Sequence, residues 1–146
     1  MLLSIAASAT TMLKPPKIEE LAGAWIGPDD GIAYFRLEID KAGRGLLVIQ
    51  EGSEDGYFSY YKISRTILSN SNNYKISFAL LPLKLADPTV TLSGEANTGE
   101  LRLVRSGINH GYKWHRSVSL EREDYLLPRI HAVKEASATF HAQPER

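Results

Sequence analysis

The chain reads as an all-β protein: an eight-stranded antiparallel up-and-down barrel with a C-terminal α-helix packed outside it. Three features predict this. Apolar and polar residues alternate in short runs from Trp25 to beyond Trp114, and turn-forming clusters break those runs at fairly even intervals. The stretch Leu21-Ala22-Gly23-Ala24-Trp25 follows Ile18-Glu19-Glu20 as one turn of helix, a glycine and a large aromatic. A small residue two places before an indole lets backbone close over it, as at the plugged end of a barrel. Lastly, the spacing becomes helical only at the end, over Glu123 to Ala138.

The first strand covers Ala24 to Gly27 and ends at Pro28-Asp29-Asp30-Gly31, where proline and glycine supply the turn angles. The second, Ile32 to Asp40, sets Phe35, Leu37 and Ile39 against Arg36, Glu38 and Asp40. After Lys41–Gly45, the third, Leu46 to Gln50, is apolar on both faces and needs an outer cover. The acidic loop Glu51–Gly56 leads to a fourth strand, Tyr57 to Leu68, with Tyr57, Tyr61, Ile63 and Ile67 on one parity. Ser69–Asn73 is a turn. The fifth strand alternates Tyr74, Ile76, Phe78 and Leu80, and Leu81 to Pro88 reads as a loop. Val90 and Leu92 mark the sixth strand, Leu101 and Leu103 the seventh, and Tyr112, Trp114, Val118 and Leu120 the eighth. Short connections make sequential neighbours pair, and a meander of eight can close and lose its edges. In the helix, Leu126, Leu127, Ile130, Val133 and Ala136 form one stripe, with Pro128 in the first turn, and the third strand is the natural surface for it.

One domain, residues 18–138, is expected, with tails at 1–17 and 139–146. The first twelve residues, Met1 to Met12, admit three readings: a short export signal with Ala7-Ser8-Ala9 as cleavage site, a frayed tail, or an early start codon. They are too short to span a bilayer. With 17 basic and 17 acidic residues the chain has no basic excess, which argues against nucleic acid or a membrane surface as partner. No cysteine is present, so disulfides, thiolate catalysis and thiolate metal sites are excluded. Compartment and oligomeric state stay open.

The eighth strand places Trp114, Arg116, Val118, Leu120 and Arg122 in phase. Arg122, at its end, is expected to stack its guanidinium on Trp25, where the first strand begins. A one-turn helix, Gly23-x-Trp25, eight meandering strands, a strand-terminal arginine and a helix together resemble the lipocalin/calycin superfamily. The resemblance implies a floor closed by Gly23, Trp25 and Arg122, and an open mouth that admits small apolar ligands. It departs from the family at Glu95–Gly99, which carries no Thr-Asp-Tyr-like motif, and at the short first loop.

With the floor so placed, the mouth carries Pro28–Gly31, Glu51–Gly56, Leu81–Pro88 and Ser106–Gly111. Near it, facing inward by parity, stand Tyr57, Arg105 and Tyr112, with Trp114 and Arg116 deeper. These five are the candidate ligand-binding residues: aromatic walls with guanidiniums for an acidic head group. The competing reading is a lumen filled by its own aromatics, with Arg116 paired inside it. An inward Arg116 requires a carboxylate, carbonyls, water or an anionic ligand.

No catalytic motif, phosphate loop or metal-ligand spacing occurs, so neither catalytic residues, metal nor cofactor is expected. His115 faces outward, His141 lies in the tail, and His110 with Asp29 and Asp30 is better explained by turn chemistry. Tyr57, Tyr60, Tyr61 and Lys62 suit a solvated strand face better than a nucleic-acid platform. The expected function is therefore non-enzymatic binding of a small, partly apolar, anionic ligand. The alternative is a filled barrel whose loops engage a protein partner or inhibit an enzyme.

Overall fold

A computed structural model of the chain describes residues 16–27, 34–51, 57–69, 75–84, 86–97, 100–106, 112–116 and 127–143. The sheet closes as a barrel in the order β1 to β8, each strand antiparallel to its neighbours. The strands are β1 (Gly23–Gly27), β2 (Tyr34–Ile39), β3 (Gly45–Glu51), β4 (Tyr57–Leu68), β5 (Lys75–Leu83), β6 (Leu92–Asn97), β7 (Glu100–Arg105) and β8 (Tyr112–Arg116). A 3-10 turn, Ile18–Leu21, precedes them and the helix α1, Leu127–Ala142, follows. No helix among the described residues is long and apolar enough to cross a membrane.

Alternation sets the interior. Trp25, Phe35, Leu37, Ile39, Leu47, Ile49, Tyr61 and Ile63 join Ile76, Phe78, Leu92, Leu101, Leu103 and Trp114 in one buried apolar cluster. Each such side chain contributes about 1.5–3 kcal/mol by leaving water. The third strand is buried on both faces, as expected: Leu47 and Ile49 point inward, while Leu46 and Val48 pack with Ala136 of the helix. Helix α1 lies against β2 and β3. Ile130 and Val133 seat on Ile26, and Phe140 stacks on Tyr60 with centroids 5.3 Å apart.

Three elements differ from the sequence reading. In β4 the register shifts between Ile63 and Arg65, a bulge that inverts the parity beyond it. Ile67 is therefore 41% exposed, while Thr66 is buried and donates to the Gly43 carbonyl at 2.7 Å. Strand β5 continues through Leu81–Leu83, because the long β4 offers partners as far as Tyr60. Its Pro82 is tolerated there because β6 pairs only with Lys75–Ser77, leaving that edge without a ladder to break. Helix α1 runs to Ala142, so Phe140 and His141 belong to it and not to a frayed tail. The His141 Nε2 lies 2.7 Å from Glu38 Oε1 and ties the last turn to the barrel. Val118, Leu120 and Leu126, like residues 1–15, fall outside the described residues.

Candidate functional site

Two guanidinium–aromatic pairs mark the two ends of the barrel. The first closes the floor. Trp25 and Arg116 are cross-strand partners on the inner face, and the Arg116 guanidinium stands 4.0 Å from the centroid of the Trp25 ring. Arg116 Nη1 donates to the Ala22 carbonyl and Nη2 to the Glu20 carbonyl, both at 2.7 Å. The Trp25 indole N–H donates to the Leu21 carbonyl at 2.9 Å. The 3-10 turn is thus fastened beneath the barrel by its own orphan carbonyls, which a helix end must satisfy somehow. Gly23 makes this approach feasible. Its φ is +126°, and a Cβ there would stand 2.7 Å from Arg116 Nη1. Partial burial lowers the pKa of Arg116 from its ordinary value, yet the guanidinium remains the cation that those carbonyls require.

Arg116, one of the candidate ligand-binding residues, is thus engaged with backbone at the floor. It faces inward, as strand parity requires, and both terminal nitrogens donate to backbone carbonyls. Arg122 lies outside the described residues, and the contacts expected of it are made by Arg116. Gly23 and Trp25 are the residues against which Arg116 packs.

The second pair lies at the mouth. Arg105 ends β7, opposite Leu92 and in phase with Leu101 and Leu103, so it too points inward. Its guanidinium carbon lies 5.2 Å from the centroid of Phe35. The Phe35 ring in turn stacks on Trp114, centroids 5.5 Å apart and planes 10° from parallel. Gly27 lets the indole lie against bare backbone, since a Cβ there would come within 2.7 Å of Trp114 Cε2. Arg105 Nε is shielded from solvent and meets no acceptor among the described residues. A buried N–H left without a partner costs free energy that an arriving acceptor would recover.

Above this layer runs the segment between β5 and β6. Tyr61 donates its hydroxyl to the Asp87 carbonyl at 3.0 Å, and Val90 closes down into the core. The Asp87 carboxylate accepts from the hydroxyl of Thr89 at 2.7 Å and from its backbone N–H at 2.9 Å. Those bonds hold the Asp87 pKa below its usual value, with the nearby Arg105 charge adding to the effect.

Of the five candidate ligand residues, Arg105 and Trp114 come together around Phe35. Tyr57 shares the inward parity of Tyr61 but stands at the rim, 63% exposed. Tyr112 takes the register position opposite Leu103, with its side chain outside the described residues. Phe35, Tyr61 and Asp87 were not singled out from sequence as site residues. Phe35 could have been, because it opens the alternation of the second strand at the mouth. Nothing in the sequence marks Asp87, which offers its backbone carbonyl to Tyr61 and its carboxylate to Thr89. His110, Asp29 and Asp30 lie outside the described residues. Comparison with protein-family models, with curated proteins and with solved structures finds no match.

Proposed function

We propose that this barrel is a non-enzymatic, lipocalin-like binding protein that takes a small, partly apolar, anionic ligand at its mouth. The observation that carries the reading is Arg105: an inward guanidinium over Phe35 whose shielded Nε has no acceptor among the described residues. A carboxylate or phosphate at that point would accept a charge-assisted bond, with Phe35 and Trp114 as apolar wall beneath it. The lipocalin/calycin reading is supported by the closed barrel and by a floor where Arg116 packs on Trp25 beside Gly23, in the role the resemblance gave to Arg122. Because the inner faces pack against one another in a single cluster that includes Phe35 and Trp114, the reading puts the ligand at the rim beside Arg105 and not in the barrel's depth. The reading calls for no metal or cofactor.

The test follows the Trp114 indole N–H by NMR while decanoate is titrated. Saturable movement in the wild type, weakened about tenfold or more by Arg105→Met, is expected from the loss of one charge-assisted contact. No movement in the wild type would end this reading. A second reading is supported by the packed interior together with Leu81, 51% exposed, and Tyr57, both on the mouth half. In it the loops engage a protein partner, and Tyr57→Ser would weaken that complex while leaving decanoate without effect.

A further inference from the structure

Outside the barrel, a groove of about 780 Å³ runs between the last turn of α1 and the outer face of β3, β4 and β5. Its walls are apolar, formed by Leu46, Leu83 and Phe140, and its rim is cationic, formed by Arg44, Lys62 and Lys84. Register arranges these charges. Lys62 stands opposite Leu46 on one side and Leu81 on the other, so it occupies the middle of the sheet face. Arg44 precedes β3 at the floor end, and Lys84 follows β5 toward the mouth with a left-handed φ of 53°. At about 3.3 Å per residue the three charges span on the order of 17 Å, a distance that flexible Lys and Arg stems can close over one anion.

No ion pair is recorded for Arg44, Lys62 or Lys84 among the described residues. Of the carboxylates beside them, Asp40 accepts from the backbone N–H groups of Ala42 and Arg44, both at 2.9 Å, and Glu38 is held by Arg36 at 3.1 Å and by His141 at 2.7 Å. An apolar slot of this size with positive charge at its edge is complementary to an anionic amphiphile. We infer that this outer groove is a second binding site, distinct from the mouth, for a free amphiphile of one apolar chain and one anionic head. The chain lies along Leu46, Leu83 and Phe140, and the head sits at Lys62 within reach of Arg44 and Lys84.

The experiment uses a diazirine-bearing dodecanoic acid below its micelle concentration, photolysed on the intact chain, with labelled peptides mapped by mass spectrometry. Label is expected on the peptide containing Phe140. The double variant Arg44→Glu, Lys62→Glu should lose that label about tenfold or more. Both side chains are exposed, so an unchanged melting temperature is expected and confirms folding. Arg105→Met should leave the Phe140 label intact while depleting label at Phe35 and Trp114, which separates failure here from failure of the mouth reading. Absence of label from the Phe140 peptide, or label indifferent to the double variant, would overturn the inference. So would capture by phosphatidylglycerol vesicles without labelling by the free acid, which would assign this face to a membrane.

Discussion

The floor and the mouth each hold an inward arginine over an aromatic ring, and the two arginines do opposite things. Arg116 lies 4.0 Å from the Trp25 centroid and gives both terminal nitrogens to backbone carbonyls. Arg105 lies 5.2 Å from the Phe35 centroid and keeps a shielded Nε without an acceptor among the described residues. Residue type, parity and a stacked ring do not distinguish them. The partners of the remaining donors do: Arg116 spends its terminal nitrogens on holding the fold together, and under the proposed function the Arg105 Nε waits for an arriving acceptor.

The largest effect should come from removing the ring at the floor. Trp25→Ala is expected to cost about 3–5 kcal/mol, the range for truncating a large buried aromatic, measured by urea denaturation. A loss under about 1 kcal/mol would mean that the floor is not part of the core. Next comes Arg116→Met, which deprives the Ala22 and Glu20 carbonyls of their donors. Two charge-assisted bonds at a partly exposed site predict a loss of about 2 kcal/mol. Gly23→Ala probes the same contact from the other side, since its Cβ would meet Arg116 Nη1 at a backbone angle hostile to alanine. About 1–2 kcal/mol is expected.

At the mouth the sign should change. Arg105→Met removes a buried donor that has no acceptor among the described residues, so stability should stay within about 0.5 kcal/mol of wild type or rise. A loss comparable to that of Arg116→Met would erase the contrast. The smallest effect concerns Asp87. Its folded pKa is depressed, so its contribution is present above the unfolded value and is lost as pH falls through the lowered one. Thr89 is the main cause and Arg105 the least of those that lower it, so Thr89→Val should raise the Asp87 pKa more than Arg105→Met. Carboxyl carbon NMR across the acid range would show the order, and the reverse order would place Arg105 closer to Asp87 than this account has it.

Much of the barrel was legible in the sequence because period-two alternation is enforced by burial. Phe35, Leu37 and Ile39, or Leu101 and Leu103, have no other reason to recur as they do. The doubly buried Leu46–Gln50 run also announced the helix that covers it. The β4 bulge was not legible: Ser64-Arg65 looks like any polar pair, and one extra residue sends Ile67 to solvent and Thr66 inward. Nor could alternation choose between Arg116 and Arg122, since both keep the same phase. What decides it is the register of β8 on β1, with Trp25 opposite Arg116. The helix end was misplaced because its sequence past Ala138 turns polar, while Phe140 and His141 still find Tyr60 and Glu38 to hold them.

The central claim is that the two arginines divide structure from binding, and one paired measurement addresses it: melting temperature and decanoate affinity, the latter read at the Trp114 indole N–H, for wild type, Arg105→Met and Arg116→Met. The account predicts that Arg116→Met melts several degrees lower and, where still folded, binds decanoate as the wild type does. Arg105→Met should melt as the wild type does and bind about tenfold more weakly or worse. Equal loss of affinity in both variants at temperatures where both are folded, or a lower melting point for Arg105→Met than for Arg116→Met, would contradict it.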